Sequence, residues 1–415
     1  MDAISSVHPY PKEVLRLLHT ADWHLGQTLR GCSRDEEQSA ALTSLIQEVK
    51  HHQPHALIVA GDIFDSPNPS AQAQHLLYRT LVALHTASPT TTTILTAGNH
   101  DAATRLESPR DLLAAFNVHV VGNIRRHQNQ TLSQHHLIPI RANNQTLAHV
   151  LAIAYPTAAC LPAAPTLIDS VRILYAGLVE QTKPQWQGFP LILTGHLHVS
   201  GAQTSEGAER NILIGGENAF PANHFPPEAA YIALGHLHKP QRIGADHIRY
   251  SGSLIPLSAS EIDYKHGITL VEIDNQTVTT QHIEIPRPLP FLRLPYKNYA
   301  TFDEIPKLIS DLRLNKDNPP NQRPFAQVRL SRKGLPATFR EDLAQLADNA
   351  GLRLVDTRIE DAEATRTTTA IPTSSIADHD PTHFFHLAFE RTHNQPPTPA
   401  HLAVFAQARE EAQQQ

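Results

Sequence analysis

Sulfur is almost absent from this chain, which has two cysteines and one methionine in 415 residues. Cys32 and Cys160 stand far apart, which excludes a disulfide scaffold and a thiolate zinc site, and neither has a predicted role. No apolar run approaches the roughly 20 residues that a membrane span requires. The first residues, MDAISSVHPYPKEV, lack the basic start and apolar block of a signal peptide. These absences predict a soluble protein of a reducing compartment, in the cytoplasm and away from membranes.

Charge is also sparse, since charged residues make up 18% of the chain and the formal net charge is −6. An acidic balance argues against a nucleic-acid partner, but the charge is unevenly distributed. Residues 1–280 carry 18 basic and 23 acidic side chains, residues 281–360 carry 13 and 10, and residues 361–415 carry 3 and 7. Only the middle segment is basic, by a margin that an ordinary solvated surface would also show.

The first two-thirds of the chain alternates short apolar, β-branched runs with helical patterns. We expect helices over 35–51 and 71–85 between the early strands. This alternation predicts an α/β domain whose interior sheet is mostly parallel. The predicted strands are Val14–His19, Ala56–Ala60, Thr93–Ala97, Val118–Val121, His149–Ala154, Leu191–Thr194, Ile212–Ile214, Tyr231–Leu234, Ile248–Ser251 and Ile268–Ile273.

A smaller second domain is expected over 281–360. Thr301 and Thr338 each begin a capping-box pattern with a glutamate three residues later, and a helix-period run follows each of them. Gly351 stands where a glycine commonly ends a helix. Strand-like segments at 290–294, 325–331 and 352–359 bracket these helices, so the order predicts a β-α-β-α-β domain.

The remaining segments complete the predicted organisation. Residues 1–13 form an N-terminal extension before the main domain at 14–280, and the Thr/Ser/Ala-rich residues 361–378 form a flexible linker. Residues 379–415 contain two short amphipathic patterns separated by QPPTP, which predicts a helical hairpin too small to form its own core. The apolar residues of this hairpin are Phe385, Phe389, Leu402 and Phe405.

Five short polar motifs each directly follow an apolar run. Loops at the carboxyl ends of strands in an open α/β sheet converge on one crevice, so these motifs should lie together. Carboxylates, imidazoles and an amide oxygen, without thiolates, suit two hard-to-borderline divalent cations. Each motif alone is common in structural roles, and it is the ordered set that favours a metal site. The motifs are DWH at 22–24, GDIFD at 61–65, GNHD at 98–101, GHLH at 195–198 and GHLH at 235–238.

A site for two metal ions requires a carboxylate that bridges them. Asp62 is the predicted bridge, because Gly61 before it lets the backbone turn tightly. Each ion then needs two or three further ligands, and the X-His and His-X-His spacings let alternate residues reach neighbouring ions. Such a centre would activate water and neutralise the charge that builds on a phosphate.

The order of these motifs resembles that of the calcineurin-like metallophosphoesterases, whose fold is an α/β two-sheet sandwich flanked by helices. The segments TADWHLGQ, LIVAGDIFDSPNP, LTAGNHD, TGHLHVSGAQ and YIALGHLHKPQ are similar to those of the SbcD-type nuclease subunits of SbcCD complexes. The resemblance extends from about residue 15 to 273, and more weakly through a small α+β capping domain to the C-terminal helical hairpin.

The resemblance implies a set of protein ligands for two divalent metal ions, usually Mn(II). His100 would lie beside the scissile phosphate and stabilise the transition state or protonate the leaving oxygen, with Asp101 orienting it. His198 has no ligand role in this pattern. At the position of Asp65 some relatives carry a histidine instead, so the pattern assigns Asp65 no role. The implied ligands are Asp22, His24, Asp62 and His238 for one ion, and Asp62, Asn99, His196 and His236 for the other.

The implied activity is 3′→5′ exonuclease action on double-stranded DNA ends and endonuclease action on single strands and hairpins, in repair, recombination and replication. The implied partner is an SbcC-type ATPase held by the C-terminal hairpin, within a nucleoid-associated heterotetramer that contains a nuclease homodimer. Two alternatives stay open: another metallophosphoesterase acting on phosphoproteins or small phosphodiesters, and a non-catalytic scaffold that docks an ATPase. Basic residues that are candidates for DNA contact are Arg30, Arg34, Arg329, Arg332 and Lys333.

Overall fold

The computed structural model describes residues 14–127, 130–205 and 219–360, together with 385, 389–390, 396–398, 401–402 and 404–405. The chain divides into one unit at Met1–Glu360 and another at Asp361–Gln415. The predicted N-terminal extension at 1–13, the linker at 361–378 and the strand at 212–214 lie outside the described residues.

The described residues of the first unit form strands and helices in alternation. The strands are β1 (Leu15–Thr20), β2 (Thr28–Leu29), β3 (Cys32–Ser33), β4 (Ala56–Ala60), β5 (Thr92–Thr96), β6 (Val118–Val121), β7 (Arg126–His127), β8 (Gln130–Thr131), β9 (Leu137–Ala142), β10 (Gln145–Leu151), β11 (Leu191–His196), β12 (Ala229–Gly235), β13 (Gln241–Ile243), β14 (Ala245–Tyr250), β15 (Gly267–Asp274), β16 (Thr277–Glu284), β17 (Phe291–Leu294), β18 (Phe325–Leu330) and β19 (Arg353–Ile359). The α-helices are α1 (Asp35–His52), α2 (Ala71–Ala87), α3 (Ala103–Glu107), α4 (Arg110–Leu113), α5 (Leu167–Trp186), α6 (Ile305–Asp311) and α7 (Phe339–Asn349).

Twelve of these strands form two six-stranded sheets. The first sheet has the order β16-β15-β1-β4-β5-β6, and it is parallel from β1 to β6 and antiparallel at β15 and β16. The second has the order β13-β14-β12-β11-β10-β9, and it is parallel from β14 to β10 and antiparallel at both edges. The predicted mostly parallel interior is confirmed, in two sheets. Strand β16 continues to Glu284, past the domain boundary predicted at 280.

The two sheets pack face to face because alternate residues of their strands are apolar on the inner side. Leu17, Ile58, Ile192 and Tyr231 are fully buried in the core between the sheets. The opposite faces of the strands pack on helices, with α1 and α2 against the first sheet and α5 against the second. The structure is therefore the predicted two-sheet sandwich flanked by helices.

A third, three-stranded parallel sheet follows, with the order β17-β18-β19 and with α6 and α7 packed on it. The capping box predicted at Thr301 is present, and its backbone N–H donates to the Glu304 carboxylate at 2.8 Å. The capping box predicted at Thr338 is wrong, because that hydroxyl donates to Asp342 at 2.7 Å and makes no cap bond. Gly351 follows α7 with φ +74°, as expected of a helix-ending glycine.

The second unit brings apolar residues of its two amphipathic patterns together. The ring of Phe385 stacks on that of Phe405, with 4.4 Å between centroids and 13° between planes. Phe389, one helical turn from Phe385, lies 5.7 Å from it. No described helix of the chain is both long enough and apolar enough to cross a membrane.

Candidate metal centre

The five polar motifs meet at one edge of the sandwich. Three of them follow β1, β4 and β5 in the first sheet, and the two GHLH motifs begin in β11 and β12 of the second. Backbone hydrogen bonds join neighbouring loops, since the amide of Asp22 donates to Gly61 O and that of His24 donates to Asp62 O, both at 3.0 Å. Parallel strands thus deliver both sets of side chains to one crevice.

Four of the predicted ligands have a left-handed backbone conformation. The φ angles are +55° at Asp22, +45° at His24, +49° at Asp62 and +99° at His236. Residues other than glycine adopt this region rarely and at a cost, and such strain concentrates at functional sites. Here it turns the chain sharply after each strand and directs the side chains into the crevice.

Three overlapping groups of metal-ligating side chains lie in this crevice: two consist of predicted ligands alone, and the third is His24, Asp62 and His100. In each group the ligand atoms lie within 4.8 Å of one another. Asp62 Oδ2 lies between the first and second groups, 3.2 Å from His196 Nε2 and 3.5 Å from His24 Nε2. Asn99 Oδ1 lies 3.0 Å from His196 Nε2. The first group is Asp22, His24 and His238, and the second is Asp62, His196 and His236.

The chemistry of these groups fits divalent metal ions. Asp22 Oδ2 and His24 Nε2 are buried and have no hydrogen-bond partner within the described part of the chain. Burying polar atoms without partners costs about 1–3 kcal/mol each, a cost that a bound cation would remove. The donors are carboxylate oxygens and imidazole nitrogens, which suit hard-to-borderline divalent cations.

Hydrogen bonds orient the histidine rings so that Nε2 faces the crevice. His196 Nδ1 donates to Ala60 O at 2.9 Å, and His238 Nδ1 donates to Glu261 Oε1 at 2.8 Å. His24 Nδ1 lies 3.2 Å from Asp65 Oδ1. Such partners fix the tautomer and increase the basicity of the ligating nitrogen.

Glu261 is a residue of the site that the sequence did not reveal. It is fully buried, and its second carboxylate oxygen accepts the backbone N–H of Leu257 at 2.8 Å. Glu261 lies 23 positions after His238, in a short turn that follows neither a predicted strand nor a motif. No local pattern therefore could have connected the two residues.

The charges in the crevice are tightly coupled. Burial raises the pKa of Asp22 to about 7, against the opposing effect of His196 and His238. Burial also disfavours the charged forms of Asp62 and His196. The attraction between the two charged groups outweighs this effect, so the pKa of Asp62 lies below its ordinary value and that of His196 is raised to about 9. Asp62 is therefore the carboxylate that stays ionised, and a cation between the two residues would take the place of the His196 proton.

Glycines in three motifs permit this close approach. A Cβ at Gly61 would lie 2.1 Å from His196 Nδ1, and one at Gly98 would lie 2.1 Å from Asp62 Oδ1. A Cβ at Gly235 would lie 1.8 Å from Ala60 O. A side chain at any of these positions would displace the ligands or the strands that carry them.

His100 lies next to both groups. Its backbone N–H donates to Asp62 Oδ1 at 2.8 Å, and its ring lies edge-on to that of His24 with 4.7 Å between centroids. His100 Nδ1 donates to Asp65 O at 2.8 Å. The structure thus places this histidine beside the predicted metal ligands, with a backbone carbonyl as its partner.

The Asp101 carboxylate has a different role from the one expected. It accepts the backbone N–H groups of Gly98, Ile63 and Phe64 at 2.9–3.0 Å, and no contact with the His100 ring is found in the described residues. The prediction that Asp101 orients His100 is therefore wrong. Asp101 instead joins the GDIFD and GNHD loops, because it satisfies amides of both.

Arg34 was predicted as a candidate for DNA contact at the surface, and the structure contradicts this prediction as well. Its side chain is fully buried, where Nε and Nη2 contact the Glu37 carboxylate at 2.7–2.8 Å and Nη1 donates to Pro256 O at 2.6 Å. The prediction that Arg34 contacts DNA is wrong, because the guanidinium does not reach the surface. Arg30 is exposed and lies 3.4 Å from the Asp356 carboxylate.

The other singled-out residues lie outside the two groups. Arg332 and Lys333 are exposed, and Arg329 lies over the Tyr299 ring at 4.8 Å. The ring of His198 is half-buried and belongs to neither group. Both cysteines are free thiols, as expected.

Comparisons with known proteins agree with this geometry. The family profile of the calcineurin-like phosphoesterases matches residues 15–240. The SbcD component of the nuclease SbcCD from Rhodobacter capsulatus is 41% identical over 371 residues, which are 87% of this chain and 90% of that relative. The SbcD proteins of Escherichia coli K12 and Bacillus subtilis are 35% and 34% identical over 67% and 70% of this chain, and over 71% and 76% of their own lengths. The chain therefore belongs to the calcineurin-like phosphoesterases and, within them, to the SbcD family of nucleases.

Proposed function

We propose that this protein is a metal-dependent DNA nuclease subunit that hydrolyses phosphodiester bonds at a centre of two divalent ions, with Mn(II) as the working metal. The observation that carries the proposal is the pair of ligand groups that meet at Asp62, with His100 beside them. The proposed reactions are 3′→5′ exonuclease action on double-stranded ends and endonuclease action on single strands and hairpins, in the cytoplasm at the nucleoid.

The chain supplies the ligands and a proton-handling group. When bound, the two ions would provide a nucleophilic water at neutral pH and neutralise charge on the phosphate. Because His100 donates its Nδ1 proton to Asp65 O, its Nε2 is the nitrogen that faces substrate. In its protonated form this imidazole would stabilise the transition-state charge or protonate the leaving oxygen. The residues that would hold the ions are Asp22, His24, Asp62, Asn99, His196, His236 and His238.

Two histidines of one motif provide a matched test. His196 is a proposed ligand, whereas His198, two residues later, lies outside both groups. With Mn(II) and end-labelled linear duplex, His196→Ala should lose cleavage by at least about 100-fold, of the order that loss of a group acting in the transition state produces. His198→Ala should cleave like the wild type. Equal activity of the two variants would contradict the proposed centre.

The two alternatives predict different results in the same assay. A phosphatase of small esters would hydrolyse bis-p-nitrophenyl phosphate and leave the labelled duplex intact. A non-catalytic scaffold would act on neither substrate with any divalent metal. Cleavage of the duplex by the wild type, lost on chelation and restored by Mn(II), distinguishes the proposed nuclease from both.

An SbcC-type ATPase is the proposed partner of the C-terminal hairpin. The relatives are components of SbcCD nucleases, and the apolar rings of Phe385 and Phe405, one from each amphipathic pattern, contact each other. An apolar helical face of this kind suits groove or helix binding. Deletion of residues 380–415 should abolish co-purification with the ATPase while Mn(II)-dependent cleavage persists, and retained binding would contradict the assignment.

A second copy of the chain is the proposed occupant of an exposed apolar surface formed by α2 and α4. Tyr78 and Val82 of α2 are 36% and 48% exposed, and Leu112 and Phe116 are 76% and 37% exposed. Large exposed apolar side chains favour an interface. Phe116 lies in the turn after α4, and its ring stands edge-on to that of His85 in α2, with 5.5 Å between centroids. Leu112→Glu should reduce the sedimentation coefficient from the value of a dimer to that of a monomer. Ile173→Glu, which changes an apolar residue of α5 that is 40% exposed, should not.

DNA backbone contacts are proposed for the basic residues that remain exposed. Arg30, Arg332 and Lys333 are surface residues, whereas Arg329 is half-buried and lies over the Tyr299 ring. Phosphate contacts provide affinity without sequence readout and make it dependent on salt. Arg332→Ala should therefore weaken duplex binding and lower the salt dependence of the binding constant by about one unit of slope.

A further inference from the structure

A cavity of about 150 Å³ lies directly behind the second group of metal ligands. Asn99, whose Oδ1 lies 3.0 Å from His196 Nε2, forms the wall that it shares with the metal centre. Tyr155, Thr157 and Cys160 line it as well, after the end of β10. A phosphate held at the metal centre would thus have this cavity next to it.

The lining of the cavity favours an uncharged occupant. None of its eleven lining residues is lysine or arginine, and its one carboxylate, Asp101, is occupied by three backbone amides. The remaining walls are alanine and glycine backbone, Ile124, and the neutral side chains of Asn123 and Thr157. A phosphate would lose its hydration there without gaining a cation, whereas a flat, partly polar group would fit.

The size of the cavity restricts that occupant to part of a nucleotide. Pockets that enclose whole small ligands measure about 300–1,000 Å³. A volume of about 150 Å³ leaves room for one nucleobase and is too small for a base pair. Duplex DNA would therefore reach this cavity only with a nucleotide unpaired, and unpairing costs least at an end or in a single strand.

Tyr155 connects the cavity to the metal centre. Its backbone N–H donates to Ala97 O at 2.8 Å, which fixes it at the end of the sandwich. Its ring stands edge-on to that of His196, with 6.3 Å between centroids and 87° between planes. Tyr155 thus lines the cavity and also contacts a proposed metal ligand.

We propose that this cavity binds the nucleobase of the nucleotide whose phosphate lies at the metal centre, with the base stacked against Tyr155. The proposal deepens the proposed nuclease function and rests on it. Stacking on an aromatic ring accepts any base, because every base has a π face. A subsite of this kind positions the reacting phosphate and selects unpaired nucleotides without reading the sequence.

Cys160 offers a probe of occupancy, because this residue lines the cavity and carries a thiol that donates to Thr157 O, another lining residue. In a full-length Cys32→Ser protein Cys160 is the single thiol, and its rate of alkylation by iodoacetamide can be followed by mass spectrometry. With Mn(II) present, deoxyadenosine 5′-monophosphate should slow this reaction severalfold, whereas inorganic phosphate should leave the rate unchanged. An unchanged rate at nucleotide concentrations that inhibit DNA cleavage would overturn the proposal.

The second cysteine provides the matched control. In the reciprocal Cys160→Ser protein, the nucleotide should not alter alkylation of Cys32, which lies in the short hairpin of β2 and β3. Equal protection of both thiols would mean a general tightening of the protein rather than occupancy of the cavity, and would also overturn the proposal.

Kinetics of Tyr155 variants test the stacking contact. Tyr155→Ala should lower kcat/KM for single-stranded DNA by about 5- to 150-fold, which is the loss expected for one base–aromatic stack. The fall in kcat/KM for bis-p-nitrophenyl phosphate should be much smaller. Tyr155→Phe should retain the DNA activity. An equal fall on both substrates would assign Tyr155 to the metal centre and refute the base subsite. If the wild type cleaves neither substrate, the nuclease function itself fails, and nucleotide protection of Cys160 can still be measured.

Discussion

Replacement of Glu261 by glutamine should weaken metal binding by the group that contains His238. Glu261 is fully buried, and its two oxygens are used by His238 Nδ1 and Leu257 N, each at 2.8 Å. Glutamine keeps one acceptor oxygen, loses the negative charge and presents an NH2 group to one of these donors. A hydrogen bond to a charged group contributes about 1.5–3 kcal/mol, which corresponds to about 10- to 150-fold in affinity. Loss of a partner behind a metal-bound histidine costs about 10- to 100-fold.

The assay is titration of metal-free protein with Mn(II) by calorimetry, with the Mn(II) dependence of DNA cleavage measured in parallel. Glu37→Gln is the matched control, because Glu37 is also buried and pairs with Arg34 rather than with a proposed ligand. We expect the control to lose stability and to keep its metal affinity. Wild-type affinity in a folded Glu261→Gln protein would refute the argument, and so would an equal loss in both variants.

Three further predictions concern acid stability, a buried arginine and a glycine. Burial lowers the pKa of His19 from 6.5 to about 3, so the unfolded chain binds this proton at higher pH than the folded one. The free energy of unfolding should therefore fall by about 1.4 kcal/mol per pH unit as pH drops below the unfolded value, and His19→Asn should show a shallower fall in urea titrations. Arg34→Ala should cost about 3–5 kcal/mol in urea unfolding, because it leaves a buried carboxylate unpaired, while DNA affinity of the folded protein stays the same; the reverse pattern would restore Arg34 as a DNA contact. Gly61→Ala should reduce bound Mn(II), since its Cβ would lie 2.1 Å from His196 Nδ1, whereas Gly177→Ala, whose Cβ meets nothing within 4 Å, should not.

Most strands of the two sheets could be predicted because each is a short apolar, β-branched run, and five of them lead into a polar motif. The predicted strand at 56–60 matches β4, and the one at 118–121 matches β6. The helix α5 was missed, although Val171, Leu174 and Leu178 show the i, i+3, i+7 burial of an amphipathic helix. Pro184 within its last turn is a residue that normally argues against a helix. Its N-cap, where Thr166 accepts the Asp169 N–H at 3.0 Å, was a local signal that could have located it.

The ligand set could be proposed from the sequence because every proposed ligand lies within four residues of a strand end. Motif and topology then suffice, since parallel strands bring their carboxyl ends together. The residues that form hydrogen bonds with the ligands and with His100 follow no such rule. Asp101 is adjacent to His100 in sequence, yet its carboxylate turns to the amides of Gly98, Ile63 and Phe64. Sequence adjacency predicted the wrong contact because backbone N–H groups in a tight loop compete for the same carboxylate.

The first and second ligand groups each take side chains from both sheets, so how closely their members approach depends on how the sheets pack, and no single motif determines it. Ala60 ends β4 in the first sheet, and its carbonyl accepts from His196 Nδ1 of the second sheet at 2.9 Å. A Cβ at Gly235, at the end of β12, would lie 1.8 Å from the same carbonyl oxygen. The two sheets therefore touch through main-chain atoms at this edge, whereas elsewhere side chains such as Ile58 and Tyr231 separate them. Glycine at 235 has no side chain that would push the sheets apart, and Asp62 can therefore reach both groups. The packing of the sandwich core thus also determines the geometry of the metal centre.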